Sequence, residues 1–221
     1  MDGIRRRRAI EVSDAVIVAQ TIAQTLEKLG IVYWIGGSMA SSIYGTPRST
    51  QDVDFVAELN EGQIDTLVAA LEVEFYIDSE VVRRAVRSRR SFNVIHLDTM
   101  YKADIFVLGA DRHAQEEKRR RRIEPLGPGP DAPAAYFCSA EDIVLQKLLW
   151  FRKGAGVSER QWNDLLAVLK IQASDLDYDY LKRWAAELGI VELLVRAFDD
   201  AGVDSSMPEA SELDKKESLD T

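Results

Sequence analysis

The chain has 221 residues, of which 46% are hydrophobic and 29% are charged, so it can bury a sizeable core and has the composition of a globular protein. No window approaches the roughly 18 apolar residues of a membrane-spanning helix, and the arginines at positions 5–8 lack the apolar segment of a signal peptide. The single cysteine, Cys138, excludes an intrachain disulfide and fits a reducing compartment, so we expect a cytoplasmic protein with no membrane partner.

The net charge of −9 is unevenly distributed along the chain. Between Val81 and Arg122 there are 12 Lys and Arg against 5 Asp and Glu, a local charge of +7. Such a region can concentrate a positive field on a polyanion, such as a nucleoside triphosphate or an RNA. A basic helix that only faces solvent would have the same composition, so both interpretations stay open.

The first two thirds of the chain alternate between helical and extended patterns. Apolar residues recur at helical spacing over 13–30, with Ser13 as the expected N-cap and Gly30 as the expected stop. Further on, the patterns predict strands at 31–35 and 52–56, a short helix at 39–44, a helix at 60–71, a short strand at 73–77, an antiparallel hairpin of 91–97 with 101–107, a polar helix at 111–122 and an extended Pro/Gly-rich connector at 125–133.

After residue 137 the pattern becomes wholly helical. Ser139 begins a segment that resembles a capping box, and further helices are expected from Ser158 and over 178–188 and 190–201. We therefore predict an α/β domain at 1–137, a helical domain at 138–204 and an acidic, disordered tail at 205–221. The fold class is α/β, a small mixed sheet with flanking helices followed by a C-terminal helical bundle.

The chemistry concentrates between the first two predicted strands. Gly36 and Gly37 allow the backbone to come close to a ligand, and a helix that begins near Ser38 points free N–H groups at it, as a phosphate requires. Asp52 and Asp54 are two residues apart on a strand, so both side chains leave the same face. Two such carboxylates favour a hard divalent cation between them, typically Mg²⁺ with substrate phosphates as further ligands.

These residues resemble a known family. The string GGSMASSIYGTPRSTQDVDF at 36–55 is similar to the nucleotidyltransferase superfamily, which includes DNA polymerase beta and the aminoglycoside nucleotidyltransferases. It looks closest to bacterial abortive-infection toxin-like and uncharacterised nucleotidyltransferase proteins, in which a Gly-Gly-Ser/Thr turn precedes an Arg-x-Thr/Ser-x-Asp-Val/Ile-Asp pattern. The resemblance covers about 20 residues in detail and the rest of the chain only in outline.

Two-metal phosphoryl transfer requires a third carboxylate. Asp104 is the best candidate, since it lies within an apolar strand where a charge is costly unless it is paired or bound to metal. Asp98 and Asp111 are alternatives, but both fall at turns. The resemblance implies that the third acidic residue lies on a later strand and accepts the proton of the incoming hydroxyl.

Other residues are candidates for the nucleotide. The resemblance implies that Ser38 reaches a phosphate oxygen, and Arg48 can clamp phosphate with its fork of N–H donors. Thr50 either binds the nucleotide or braces the loop. The resemblance implies that a lysine of the helical part reaches the triphosphate, and Lys147 is the candidate, with Lys153 and Arg152 as alternatives. His96 and His113 do not form a metal pair by spacing, and we expect each of them to be a strand or surface residue.

The resemblance implies an Mg²⁺-dependent enzyme, with Mn²⁺ as a possible replacement, that moves a nucleoside monophosphate from NTP to a hydroxyl. The acceptor is a tRNA or other RNA bound through the basic region, a protein, or a small molecule such as an aminoglycoside. The tRNA and protein alternatives fit a toxin–antitoxin or defence system. A catalytically inactive nucleotide- or RNA-binding module with the same fold is the alternative function.

Overall fold

A computed structural model describes residues 13–127, 132–154 and 158–203. Its strands form one sheet in the order β3-β4-β5-β2-β1-β7-β6. In chain order they are β1 (Tyr33–Ile35), β2 (Asp52–Ala57), β3 (Phe75–Tyr76), β4 (Ser91–His96), β5 (Lys102–Val107), β6 (Arg122–Pro125) and β7 (Ala134–Phe137).

The helices lie between and after these strands. They are α1 (Asp14–Lys28), α2 (Gly37–Tyr44), α3 (Ile64–Leu71), α4 (Ser79–Ser88), α5 (Arg112–Arg120), α6 (Ala140–Lys153), α7 (Glu159–Gln172), α8 (Tyr178–Glu187) and α9 (Val191–Ala201). None of them is long and apolar enough to cross a bilayer, as far as the described residues go. The predicted mixed sheet with a helical C-terminal part is confirmed.

Strands β2 and β5 form the centre of the sheet and run parallel, with Asp54 paired to Asp104. Both strands alternate between buried and partly exposed residues. Val53, Phe55 and Ala57 of β2 are completely buried, so one face of the sheet belongs to the core. The opposite face carries the aspartates, and the predicted hairpin of β4 with β5 extends it.

Each face of the sheet has its own layer of helices. Helix α3 contacts both α1 and α4, and these two helices contact strands of the sheet. On the aspartate side α2 packs against α6 and α7, and α8 and α9 pack outside these two. The C-terminal helices therefore lie over the face that carries Asp52, Asp54 and Asp104.

Several helices begin at a side chain that accepts a backbone N–H. Asp78 accepts from Glu80 and Val81, Asp111 from Ala114, and Ser139 from Asp142. These bonds satisfy amide groups that have no partner within the helix. Ser13 occupies the expected N-cap position of α1 but makes no side-chain cap bond.

Some sequence predictions differ from the structure. The connector expected at 125–133 joins two paired strands, since β6 and β7 pair through Arg122–Phe137 and Pro125–Ala134 and add an edge to the sheet. Residues 128–131 of this connector lie outside the described residues. Residues 60–71 divide into a 3-10 turn at Glu61–Gln63 and α3, because the Asn60 side chain caps the turn. The tail predicted at 205–221 lies outside the described residues.

Candidate functional site

The turn after β1 brings the backbone against the Asp54 carboxylate. Gly37 is the first residue of α2 and has φ +56°. A Cβ placed there would overlap the Asp54 side chain, so only glycine allows this approach. The Gly36 N–H also donates to the Asp54 carbonyl at 2.9 Å. The Gly-Gly turn thus contacts both the side chain and the carbonyl of Asp54 in β2.

Three carboxylates share one face of the sheet. Asp52 and Asp54 lie two residues apart on β2, and the parallel register places Asp104 beside Asp54. Burial and the neighbouring Asp52 and Asp104 charges raise the pKa of Asp54 to about 6. The like charges disfavour the ionised form of Asp54, and a cation bound between the carboxylates would favour it.

Lys102 supplies positive charge to this group. Its Nζ donates to Asp104 Oδ2 at 2.6 Å and lies 3.9 Å from Asp52 Oδ2. The hydrogen bond to Asp104 raises the pKa of Lys102, which is 41% exposed. An ammonium therefore neutralises carboxylates that would also suit a divalent ion.

The donor set of this group fits Mg²⁺. The oxygens of Asp52, Asp54 and Asp104 offer the hard ligands that the ion prefers, with positions left for substrate phosphates. In the part of the chain that the structure describes, the oxygens of these three aspartates do not all lie within 4.8 Å of one another.

The start of α2 differs from the sequence prediction. Gly36 occupies the N-cap position, and Ser38 lies in the first turn of the helix. Its Oγ accepts from Arg48 Nη2 at 2.6 Å, while its carbonyl accepts from Ser41 and Ser42. The helix therefore begins two residues earlier than the predicted position 39, and the Ser38 side chain lines the cleft described below.

Arg48 and Lys147 meet at a residue that the sequence analysis did not identify. Asp164 of α7 accepts both arms of the Arg48 fork, at 2.8 and 2.7 Å, and the Lys147 ammonium at 2.9 Å. Burial lowers the pKa of Lys147. Burial would raise the pKa of Asp164, but hydrogen bonds from Arg48 and Lys147 hold it below its usual range. Gln161 accepts a further bond from Lys147 at 2.7 Å.

Asp164 could not have been singled out from the sequence. It lies between Trp162 and Leu165 in an amphipathic pattern, where most polar residues face solvent. Only the packing of α7 against α2 and α6 brings it to the predicted arginine and lysine.

Thr50 braces the loop before β2. Its Oγ1 donates to the Asp52 carbonyl at 2.9 Å, and its own carbonyl accepts from the Tyr101 hydroxyl at 2.6 Å. Thr50 and Arg48 line a neighbouring groove of about 830 Å³. Of the alternatives to Asp104, Asp111 caps α5, and Asp98 is exposed at the β4–β5 turn.

The remaining predicted residues line one cleft of about 420 Å³. Its walls come from the Gly-Gly turn, the exposed face of β2 and β5, and the near side of α6. The predicted residues in it are Gly36, Gly37, Ser38, Asp52, Asp54, Asp104 and Lys147. The sequence analysis missed Val56, Phe106, Ile143, Gln146, Trp150 and Gln161.

The alternatives to Lys147 have other partners. Lys153 Nζ lies 5.0 Å from the centre of the Trp150 ring. Arg152 donates to the carbonyls of Leu188 and Gly189, each at 2.9 Å, and so joins α6 to the turn before α9. Neither residue lines the cleft.

A second polar group lies buried behind α6. His113, Glu117 and Asp142 have ligand atoms within 4.8 Å of one another, a spacing that also suits a metal ion. Gln146 connects the group to the cleft, since its Nε2 donates to Glu117 at 2.9 Å. His113 lies in α5, packs on Trp184 and is 8% exposed, so the prediction of a strand or surface residue is wrong for this histidine.

No family model matches the chain, and no curated protein matches it. Solved structures do. The antibiotic-resistance factor ANT(2'')-Ia superposes in its solution structure with a TM-score of 0.52 at 11% identity, over 82% of this chain and 96% of that one. Its crystal structure in complex with adenylyl-2''-tobramycin superposes with a TM-score of 0.54 at 14% identity, over 79% and 97%. The chain therefore has the fold of ANT(2'')-Ia.

Proposed function

Starting from this fold, we propose that the protein transfers a nucleoside monophosphate from NTP to a hydroxyl acceptor. The observation that supports this most strongly is the single cleft that brings together Asp52, Asp54, Asp104, the Gly37 turn and Lys147. Carboxylates for cations and N–H and ammonium donors for phosphates are the two requirements of phosphoryl transfer.

The triphosphate would bind at the start of α2 and near Lys147. The first N–H groups of α2 have no partner within the helix, and the Gly37 turn presents them beside Asp54. Lys147 reaches the cleft from the opposite wall, held by Gln161 and Asp164. Arg48 positions Ser38 and Asp164 and would be released to the phosphates only if its fork leaves Asp164.

Asp52, Asp54 and Asp104 would hold Mg²⁺, or Mn²⁺ in its place. The ion supplies charge neutralisation at the phosphates and at the attacking oxygen. Asp104 lines the cleft beside Lys102 and would take the proton of the acceptor hydroxyl. The acceptor oxygen then forms a bond to the α-phosphorus, the bond between that phosphorus and the bridging oxygen breaks, and pyrophosphate leaves with both electrons of the bond.

The acceptor is a small molecule, an RNA such as tRNA, or a protein. ANT(2'')-Ia is described with an adenylylated tobramycin, which favours a small molecule for this fold. The basic region favours RNA less than its charge of +7 suggests. Many of its cations are paired with acidic side chains, among them Arg83 with Asp65, Arg87 with Glu61, Lys118 with Glu58 and Arg120 with Glu141. A role in a toxin–antitoxin or defence system rests on the sequence resemblance alone.

A binding module without catalysis is the second candidate. The Lys102 ammonium favours it, since it bonds Asp104 and approaches Asp52, two of the carboxylates that would hold the ion. Such a module would bind Mg²⁺–NTP and release it unchanged. Turnover separates the two candidates, because binding alone is common to both.

The experiment is incubation with each of the four labelled NTPs and Mg²⁺, in parallel with tRNA, an aminoglycoside panel and a cell lysate. Label in a product of tRNA, small-molecule or protein size identifies the acceptor class. Asp104→Asn should abolish the product, while Asp98→Asn, at the exposed turn, should not. Binding of Mg²⁺–NTP without a labelled product in any mixture would favour the module.

A further inference from the structure

The cleft is polar at one end and apolar at the other. Along β2 its floor passes from Asp52 through Asp54 to Val56, and along β5 from Asp104 to Phe106. Two residues of strand span roughly 6.6 Å. The apolar end therefore begins about one ribose length beyond the carboxylates.

Trp150 closes the apolar end from α6. Its ring centre lies 6.4 Å from that of Phe106, in an edge-to-face arrangement. Trp150 is 52% exposed, although its helix is otherwise largely buried. Of the exposed large hydrophobic residues that the structure describes, Trp150 is the one that lines the cleft. Lys153 Nζ lies over this ring at 5.0 Å from its centre, and the ring still has enough exposed surface to contact a ligand.

From this arrangement we infer that Trp150 and Phe106 form a platform on which the base of the NTP stacks. The inference rests on the proposed function. Phosphates bound at Gly37 and Lys147 leave the sugar and base to extend along the strands, and the aromatic end is the apolar surface within that reach. The acceptor would then enter from the side of Asp52 and Lys102, where the cleft is polar and Lys102 is exposed.

Stacking on an aromatic face accepts every base, because each base has a π-face. The platform itself carries no hydrogen-bonding group toward a base edge except the indole N–H of Trp150. We therefore expect weak discrimination among the NTPs at the binding step, with larger purine bases binding more tightly than pyrimidines.

The test compares Mg²⁺–NTP with Mg²⁺–tripolyphosphate, which has the phosphates but no base, by titration calorimetry. Trp150→Ala should weaken NTP binding by roughly 5- to 150-fold, the range that stacked bases lose on alanine substitution. Tripolyphosphate affinity should not change. Trp150→Phe should restore most of the NTP affinity, and Ile171→Ala, an exposed apolar residue of α7 outside the cleft, should have no effect.

The outcomes separate the platform from the proposed function. If NTP affinity is unchanged in Trp150→Ala, or the variant weakens only binding of the acceptor, the platform is wrong while the transferase remains supported. Equal losses for NTP and tripolyphosphate would also overturn the platform, because they indicate a disturbed phosphate site. A wild-type protein that binds neither ligand would refute both.

Discussion

Gly37 is the residue at which the local backbone and the site depend on each other most directly. It has a positive φ and its Cα faces the Asp54 side chain so closely that no Cβ fits. Gly30 has a similar φ of +65°, but a Cβ there would meet nothing within 4 Å. Substitutions at the two glycines therefore distinguish the cost of a left-handed backbone, which both share, from the overlap with Asp54, which only Gly37 has.

We predict that Gly37→Ala lowers the stability by more than Gly30→Ala and abolishes nucleotide binding. Gly30→Ala should cost about 1–2 kcal/mol, the usual penalty of a left-handed backbone, and leave binding intact. Gly37→Ala adds displacement of the Asp54 carboxylate. Urea denaturation and calorimetry on both variants measure this. Equal effects of the two substitutions would show that the close approach to Asp54 is unimportant.

Lys102 is predicted to compete with the metal ion. Lys102→Met removes the ammonium from Asp104 and Asp52, so carboxylate repulsion should lower the melting temperature of the metal-free protein. Mg²⁺ should then raise the melting temperature further than it does in the wild type. Lys170→Met, on the exposed side of α7, is the control. A smaller Mg²⁺ response than in the wild type would mean that Lys102 assists the ion.

Secondary-structure elements explain which site residues the sequence could predict. Asp52 and Asp54 follow from the two-residue period of a strand, and Asp104 from the cost of a charge in an apolar strand. Asp164 and Trp150 lie on helices, and their use depends on how α6 and α7 pack over the sheet. The hairpin of β6 with β7 was missed because Pro and Gly in the sequence indicated a connector.

Asp164 joins α7 to the loop before β2 and to α6, since it bonds both Arg48 and Lys147. Asp164→Asn should lower the stability by roughly 3–5 kcal/mol, because it leaves the buried Lys147 without its charged partner. Chemical denaturation tests this prediction against Asp175→Asn, an exposed position after α7. A loss no larger than that of the control would show that Lys147 is satisfied by Gln161 alone.

The stability of the whole molecule should depend on pH through the buried group of His113, Glu117 and Asp142 behind α6. Burial and the nearby Asp142 charge raise the pKa of Glu117, while burial lowers the pKa of His113. Because the pKa of Glu117 is higher in the folded protein, the carboxyl ionises at lower pH in the unfolded chain. The free energy of unfolding therefore falls as pH rises from the ordinary glutamate range toward the pKa of the folded state. Each unit of the rise corresponds to about 1.4 kcal/mol.

We predict that Glu117→Gln removes this loss, because the amide stays neutral and can still bond Gln146. The stability of the variant should fall less than that of the wild type between pH 5 and pH 8, about the range over which burial shifts such groups. Denaturation curves at several pH values measure the difference, with the exposed Glu72→Gln as control. Parallel pH profiles of variant and wild type would refute the buried neutral carboxyl.

The predicted boundary at residue 137 falls between the last strand and α6, and it stays a prediction. The cleft takes its carboxylates and glycines from one side of that boundary and Lys147, Trp150 and Gln161 from the other. The helical part is therefore a wall of the site, a role that the amphipathic patterns could not indicate because they do not specify which face of the sheet the helices cover.

Paired reactions with α- and γ-labelled NTP test whether the three aspartates catalyse transfer of the α-phosphoryl group. With Mg²⁺ and lysate, wild type and Asp98→Asn should put α-label into an acceptor and γ-label into pyrophosphate, and Asp54→Asn should do neither while remaining folded. Transfer that persists in folded Asp54→Asn, or γ-label released as orthophosphate without α-label in any acceptor, would contradict the account.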